Sequence, residues 1–209
     1  DSNITTTLSN ASSQVTDTAT AIVANVDGIS YLVNGSHRYQ LPQEATLRDA
    51  FLRAFGIPET ASTDATAQWI NLFEQGSPIE QISVDGAGNS ITVHGVEALV
   101  GSVVMQQGDA KKTKYVVRSD GSLSPLTDFT YGLYITGKTD EFTQPNVLSA
   151  ADFQFFSNST ESAIPEDWPS EELSATSGNV SACAIYNLET AGRKKADTHV
   201  NLAVKQNNP

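Results

Sequence analysis

The residues best equipped for chemistry in this chain are three histidines, one cysteine and two pairs of adjacent carboxylates. A metal site or a nucleophilic centre needs such groups at ligand or hydrogen-bond spacing. His37, His94 and His199 lie dozens of residues apart, and none has a carboxylate or a cysteine at metal-ligand spacing. The sequence therefore predicts no metal site and no catalytic site, and each histidine is interpreted as a surface or strand residue.

Two further patterns approach catalytic motifs without completing them. The pairs Glu166-Asp167 and Glu171-Glu172 lie in a polar, proline-containing segment, where we interpret them as solvating groups. The segment from Gly108 to Thr113 has a Lys-Thr pair but lacks the first glycine of a phosphate-binding loop. We interpret it as a turn between strands, and we expect no cofactor.

Cys183 is the single cysteine, so it cannot close a disulfide within the chain. It could be a small buried apolar residue, since free cysteines are often buried. It could instead pair with a cysteine outside this sequence. A catalytic role ranks third, because a nucleophilic cysteine needs a nearby base.

Composition excludes several classes of partner. The 209 residues include 12 Lys and Arg against 24 Asp and Glu, a net charge of -12. Nucleic acids and anionic membrane surfaces require a basic face, which this composition does not favour. No apolar run approaches the roughly 20 residues of a membrane-spanning helix. Because the chain opens at Asp1 without Met, we expect a processed or excised protein whose anchor lies outside it.

A hairpin-helix unit occurs twice, led by Tyr31 and by Tyr115, 84 residues apart. In the first copy, Asn34-Gly35 predicts a tight type I′ turn between strands. In the second copy, Asp120-Gly121 takes that place in a longer turn. Duplicated small units more often form scaffolds or docking surfaces than one catalytic centre.

Helical periodicity and capping residues place four helices around these hairpins. The predictions are a helix carrying Leu47 to Phe55, one from about 64 to 73 capped by Ser62 or Thr63, one from 127 to 135, and a short one opened by Ser149. Residues 157–180 are predicted to be an extended linker, followed by strands at 182–188 and 198–204.

The order of these motifs resembles EccB, the membrane-anchored component of actinobacterial type VII (ESX) secretion systems. The resemblance covers nearly the whole chain, and each motif is degenerate alone. The collinear landmarks are Ile4 to Leu8, Tyr31 to Tyr39 with Pro42, Trp69 to Pro78, Gly86 to Gly88, Val100 to Val104, Tyr115 to Val117, Asp120-Gly121, Leu123 to Leu126, Leu148 to Asp152 and Cys183 to Tyr186.

The resemblance implies an α+β fold in which two small β-hairpin/helix modules flank a central β-rich, mainly antiparallel domain. The implied segments are residues 1–20 as a strand segment of the central domain, 21–95 and 96–177 as the two modules with their connections, and 178–209 as returning strands. It also implies that Cys183 pairs with a cysteine just upstream of Asp1.

By the same resemblance, the chain lies on the extracytoplasmic (periplasmic) side of the membrane, anchored by one upstream transmembrane helix. It would be a structural component of the secretion core complex, with other core components and further EccB copies as partners. Binding of peptidoglycan is the first alternative, suggested by the aromatic residues Tyr39, Trp69, Tyr131 and Trp168. ATP hydrolysis, attributed to this family, ranks last because no catalytic motif supports it.

Overall fold

The computed structural model describes residues 19–58, 62–175, 180–187 and 199–206. These residues form several small, mainly antiparallel sheets with short helices, which confirms the predicted α+β class. No helix within these ranges is both long and apolar enough to cross a membrane. The predicted strand at residues 4–8 lies outside the described residues.

The first hairpin copy is a three-stranded antiparallel meander extended by short parallel strands at both edges. Its elements, in chain order, are β1 Thr20–Val26, β2 Ile29–Asn34, β3 His37–Gln40, α1 Ala45–Ala54, β4 Ser62–Asp64, α2 Ala67–Ile70 and β5 Glu74–Gln75. The strand β4 pairs with β1, and β5 pairs with β3. Both edges of the meander are therefore covered.

The tight turns of this meander differ from the prediction at Asn34-Gly35. Asn34 pairs with His37, so Gly35 and Ser36 are the two loop residues, and of these only Gly35 has a positive φ, +56°. A type I′ turn needs positive φ at both central residues, whereas a glycine-first loop suits type II′. Both central residues are positive at Asp27-Gly28, between β1 and β2. The prediction of a type I′ turn at Asn34-Gly35 is therefore wrong, and the turn with that geometry lies one hairpin earlier, at Asp27-Gly28.

The helix α1 confirms the apolar periodicity, whereas α2 is shorter than predicted. The Glu44 carboxylate caps α1 by accepting from the N–H groups of Thr46 and Leu47, both at 3.1 Å. Ser62 and Thr63 do not cap a helix, because both lie in β4. The cap of α2 is Thr66, whose hydroxyl accepts from the Trp69 N–H at 3.2 Å.

The second copy repeats the same order of elements. A preceding hairpin is formed by β6 Ser90–Val93 and β7 Val96–Leu99; the copy itself is β8 Val103–Gln106, β9 Lys114–Val117, β10 Ser122–Leu126, α3 Asp128–Ile135, α4 Asp140–Thr143, β11 Asn146–Leu148, α5 Ala150–Phe153 and β12 Ser157–Asn158. As in the first copy, β11 and β12 add parallel strands at the two edges of the meander. The duplication is therefore one of topology as well as of sequence.

The repeated part is longer than the sequence indicated. Thr66 caps α2 and Ser149 caps α5, and each is followed after six and seven residues by an apolar pair, Leu72-Phe73 or Phe155-Phe156. The predicted cap at Ser149 is confirmed, since its hydroxyl accepts from the Asp152 N–H at 3.1 Å. The spacing of cap and apolar pair was the available signal for the second half of the repeat.

The chain divides into two compact units that interleave along the sequence. The first unit comprises residues 1–43, 56–78 and 173–209, and the second comprises 44–55 and 79–172. The helix α1 thus belongs to the second unit although it follows the first hairpin. The four segment boundaries predicted from the sequence stay a prediction.

The core of the first unit is formed where α2 covers one face of the meander. Eight buried residues share this cluster: Ile22, Ala24, Val26, Val33, Trp69, Ile70, Phe73 and Leu202. Leu202 comes from a separate hairpin, β14 Val180–Asn187 with β15 His199–Gln206, and its N–H donates to the Gly35 carbonyl at 2.8 Å. A two-residue strand, β13 Ser174–Ala175, also pairs with β1.

The second unit packs residues on both faces of its meander. One face carries Val104, Val117 and Leu123 with Leu148 and Phe156, against the β6–β7 hairpin. Gly121 allows this close approach, because a Cβ there would lie 2.8 Å from the Val93 side chain. Elsewhere in this unit α1 packs against α3, with Phe55 and Phe129 ring centroids 6.2 Å apart.

Candidate interaction surfaces

The strand edges of the two hairpins are candidate contact surfaces, and in the structure short added strands lie at these edges. The meander edges are paired with the short strands β4, β5, β11 and β12. Each of these has only two or three residues, and all but β11 are polar in sequence: Ser62–Asp64, Glu74–Gln75 and Ser157–Asn158. Short polar edge strands discourage pairing with other chains.

The acidic segment around residues 161–172 is a second candidate surface, and buried side chains hold it against the second unit. Glu166, Glu171 and Glu172 are exposed, as expected for solvating groups. Trp168, between them, is only 5% exposed and lies against the rings of Phe51 and Phe55. The prediction of an extended linker at 157–180 is therefore wrong for this part, which a buried tryptophan anchors.

Other apolar residues fix the same stretch. Ala163, Ile164 and Leu173 are buried. The Ser124 hydroxyl, fully buried on β10, donates to the Glu161 carbonyl at 2.8 Å, and Arg118 pairs with the Glu161 carboxylate. The exposed acids consequently sit on an ordered segment of the second unit.

The aromatic residues that suggested glycan binding are mostly part of the core. Tyr39, Trp69 and Trp168 are 3%, 7% and 5% exposed, so their rings offer no surface for stacking on a sugar. Tyr131 is half-buried; its hydroxyl donates to the Thr143 carbonyl at 2.6 Å, and the Lys114 ammonium lies 4.7 Å from its ring centroid. The observation that motivated the glycan alternative is thereby removed.

Each of the three histidines has different neighbours in the structure. His37 on β3 lies 3.6 Å from the Glu74 carboxylate on β5, and His94 stacks on Phe155 with ring centroids 5.4 Å apart. His199 pairs with Asn187 between β15 and β14. Within the described parts of the chain, no three His, Cys, Asp or Glu side chains are grouped as a metal site would require.

The Lys-Thr segment is a turn between β8 and β9, as predicted. The backbone N–H groups of Lys111 and Thr113 are already bound, because the Asp109 carboxylate accepts from Thr113 at 2.8 Å and from Lys111 at 3.0 Å. These backbone hydrogen bonds hold the pKa of Asp109 below its usual value. A phosphate would have to displace this carboxylate.

Cys183 lies on β14, where its backbone pairs with Ala203 on β15. Its side chain is outside what the structure describes. The disulfide expected from the resemblance therefore stays a prediction.

A polar cluster at the end of α3 was missed by sequence reasoning. The buried Tyr134 hydroxyl donates to the Gly101 carbonyl at 2.7 Å, and burial raises the pKa of Tyr134 to about 12. Lys138 donates to the Ile82 carbonyl, with its ammonium 4.4 Å from the Tyr134 ring centroid, and burial lowers the pKa of Lys138. The i, i+4 spacing of Tyr134 and Lys138 was the only sequence signal for this contact.

Three large apolar side chains are exposed within the described ranges: Leu72, Phe155 and Val147, at 37%, 41% and 49%. Leu72 and Phe155 hold the same position in the two copies, one residue before the buried Phe73 and Phe156. Val147 lies on the edge strand β11. These residues, with the acidic segment, are the candidate contact points of the chain.

Comparisons with known proteins agree with the fold. A family model described as "Type VII secretion system ESX-1, transport TM domain B" matches residues 2–209. No curated protein matches the chain. Among solved structures, the chain is similar to the periplasmic assembly of the ESX-5 inner membrane complex, with a TM-score of 0.71 and 16% identity over 90% of this chain and 45% of that one.

Two further solved structures are similar over 90% of this chain. An intact ESX-5 inner membrane complex matches with a TM-score of 0.69 and 16% identity over 39% of its chain. The EccB3 dimer from the ESX-3 core complex matches with a TM-score of 0.67 and 17% identity over 47% of its chain. The present chain thus spans less than half the length of the chains it resembles.

Proposed function

Because this chain belongs to the EccB family of type VII secretion components, we propose that it is a structural part of an ESX membrane core complex. The family match over residues 2–209 carries this proposal. Its interaction partners would be other core components and further copies of the same protein. The similar structures, a periplasmic assembly and a dimer from a core complex, support these partners for the whole protein.

The proposal includes a location and an anchor. The chain would lie on the extracytoplasmic side of the cell membrane, held by a single transmembrane helix upstream of it. The periplasmic assignment of the similar ESX-5 structure supports the side of the membrane. The single-helix anchor and the disulfide from Cys183 to an upstream cysteine rest on the family resemblance alone.

The duplicated topology suits a structural role. Each copy is a small sheet with covered edges, and the polar side chains discussed above are held by bonds within the chain. Such modules present rigid surfaces, as expected of repeated scaffold units. In this proposal the two copies are internal modules of a longer array.

A pull-down from native membranes tests the assembly. The full-length protein, tagged and expressed at its natural level, should co-purify with the other membrane components of its secretion system. A tagged, unrelated single-span protein from the same membranes is the control. Recovery of the tagged protein without any core component would refute the proposal.

The disulfide has a separate test. A longer version that includes the upstream cysteine should migrate differently on gels with and without reductant, and Cys183→Ser should abolish the difference. An unchanged mobility with a free thiol at Cys183 would rule the bond out. That result would leave the assembly proposal standing.

A further inference from the structure

The outer edge of β11 carries an exposed apolar side chain and has no neighbouring strand among the described residues. The Leu148 carbonyl accepts from the Gln107 N–H at 2.8 Å, so Leu148 points its backbone groups toward β8. Because backbone direction alternates along a strand, the N–H and C=O of Val147 point away from the sheet. Among the described residues, neither group has a hydrogen-bond partner, and the Val147 side chain is 49% exposed.

The first copy shows how the same edge is closed elsewhere. Ala24 pairs with Tyr31 and Thr63, just as Val104 pairs with Tyr115 and Asn146. This register makes Asp64, the residue after Thr63, the counterpart of Val147.

The backbone of Asp64 also points outward, because the next residue, Ala65, donates its N–H to the Asn25 carbonyl at 2.9 Å. An exposed charge on an edge strand opposes pairing with another strand. The first copy therefore carries a protecting charge at the position where the second copy has an exposed valine.

Charge indicates the kind of partner that fits this edge. The second unit contains 16 Asp and Glu against 7 Lys and Arg, a net -9 of the chain's -12. Asp140 and Glu141, both exposed, precede Val147 by only seven and six residues. At this edge, the acidic second unit of another copy would bring like charge, whereas a basic segment would be attracted.

We propose that the β11 edge, centred on Val147, binds an extended segment of another protein in which apolar residues alternate with lysine or arginine. The segment adds a strand beside β11, with backbone hydrogen bonds to Val147 and an apolar contact to its side chain. The inference rests on the proposed function only in that an assembly component needs contact surfaces.

A peptide titration tests the edge directly. The probe is a capped seven-residue peptide of alternating lysine and valine, added to the isotope-labelled 209-residue chain and followed by amide NMR shifts. The Val147 and Ser149 amides should shift with saturation. A peptide of the same sequence that is N-methylated at alternate residues cannot form the backbone ladder, and it should bind at least about tenfold more weakly, which corresponds to about 1.4 kcal/mol.

Matched variants locate the site. Val147→Pro removes the outward N–H without touching the bonds to β8, since proline is tolerated on edge strands. Val147→Lys puts a positive charge on this edge, which opposes strand addition and repels a basic peptide. Both should weaken peptide binding at least about tenfold, and Asp64→Pro, the same change at the counterpart position, should leave it unchanged.

Three results would overturn the proposal. One is the absence of shifts at residues 145–149 with millimolar peptide. The second is undiminished affinity in both comparisons: the N-methylated peptide binds the wild-type chain, and the unmodified peptide binds the Val147 variants, as tightly as the unmodified peptide binds the wild type. This would indicate non-specific charge attraction. The third is concentration-dependent dimerisation of the wild-type chain that Val147→Pro abolishes, which would assign the edge to a second copy. The titration needs no other component, so it can fail while the pull-down succeeds.

Discussion

Individual polar residues in this chain mostly hold backbone groups in place. Asp109 binds two N–H groups of its turn, Ser124 binds the Glu161 carbonyl, and Tyr134 binds the Gly101 carbonyl. The bonds of Ser124 and Tyr134 matter because both side chains are buried, and a buried donor or acceptor left without a partner costs about 1–3 kcal/mol. Of the histidines, which looked most suited to chemistry in the sequence, His37 lies beside Glu74 and Tyr39, and His94 stacks on Phe155.

The variant Tyr134→Phe tests how this buried hydroxyl affects the pH dependence of the free energy of unfolding. The raised pKa of Tyr134, about 12 in the folded state against 10.0, means that the unfolded chain loses this proton first as pH rises. Stability therefore falls between pH 10 and 12 in the wild type, because the unfolded state then holds fewer protons than the native state. The phenylalanine variant should lose about 1 kcal/mol at pH 7 from the missing hydrogen bond, and it should lack this part of the alkaline decline.

Urea denaturation at pH 7, 10 and 11 provides the measurement. Tyr131→Phe, which also removes a hydroxyl that donates to a backbone carbonyl, is the control for that loss alone. The phenylalanine at 134 keeps the ring beside Lys138, so the cation–ring contact is retained. Parallel alkaline declines in the wild type and Tyr134→Phe would contradict the prediction.

At the scale of elements, capping residues decide where the short helices begin. Thr127 caps α3 reciprocally with Thr130: each side chain accepts from the other's N–H, at 3.1 and 2.8 Å. Thr139 holds the same position at α4 but makes no capping hydrogen bond. The chain therefore contains a matched pair of threonines, only one of which caps with its side chain.

Thr127→Ala should lower the free energy of unfolding by about 1 kcal/mol, the usual value of an N-cap. Thr139→Ala should change it by no more than about 0.5 kcal/mol, the range of surface substitutions without such a contact. Chemical denaturation of both variants under one buffer condition gives the comparison. Equal losses would show that the cap of α3 adds nothing beyond threonine's own preference for a helix start.

At the scale of the whole molecule, the two units do not follow the two sequence repeats. The helix α1 lies in the first repeat by sequence, yet Phe51 and Phe55 pack on Trp168 in the second unit. Each unit also contains one tryptophan, Trp69 in the first and Trp168 in the second. This distribution provides a separate fluorescence probe for each unit.

Phe51→Leu in a Trp69→Phe background should shift the unfolding midpoint that Trp168 reports. The expected loss is about 1–2 kcal/mol, because the substitution removes an edge-to-face ring contact and part of a buried side chain. Thr46→Ala, an exposed change on the same helix, should leave the midpoint nearly unchanged. A Trp168 signal that ignores Phe51→Leu would contradict the assignment of α1 to the second unit.

Local patterns in the sequence were sufficient for the helix α1, the cap at Ser149, the turn at Asp109 and the duplicated meander, because these depend on neighbouring residues. The collinear motifs also sufficed to identify the family. The type I′ turn at Asn34-Gly35 and the cap at Ser62 or Thr63 failed, because strand pairing fixed the register there and placed Ser62 and Thr63 in β4.

Only the tertiary structure decided which faces are covered. The sequence around Trp168 predicts a polar linker, yet Trp168 is buried. The reason is that rings on α1, more than 100 residues earlier in the chain, pack against it. Likewise, no sequence pattern shows that Val147 and Asp64 hold equivalent positions. Their equivalence follows from the strand register, which pairs segments distant in the chain. Burial and pairing between distant segments are set by packing, which no local pattern encodes.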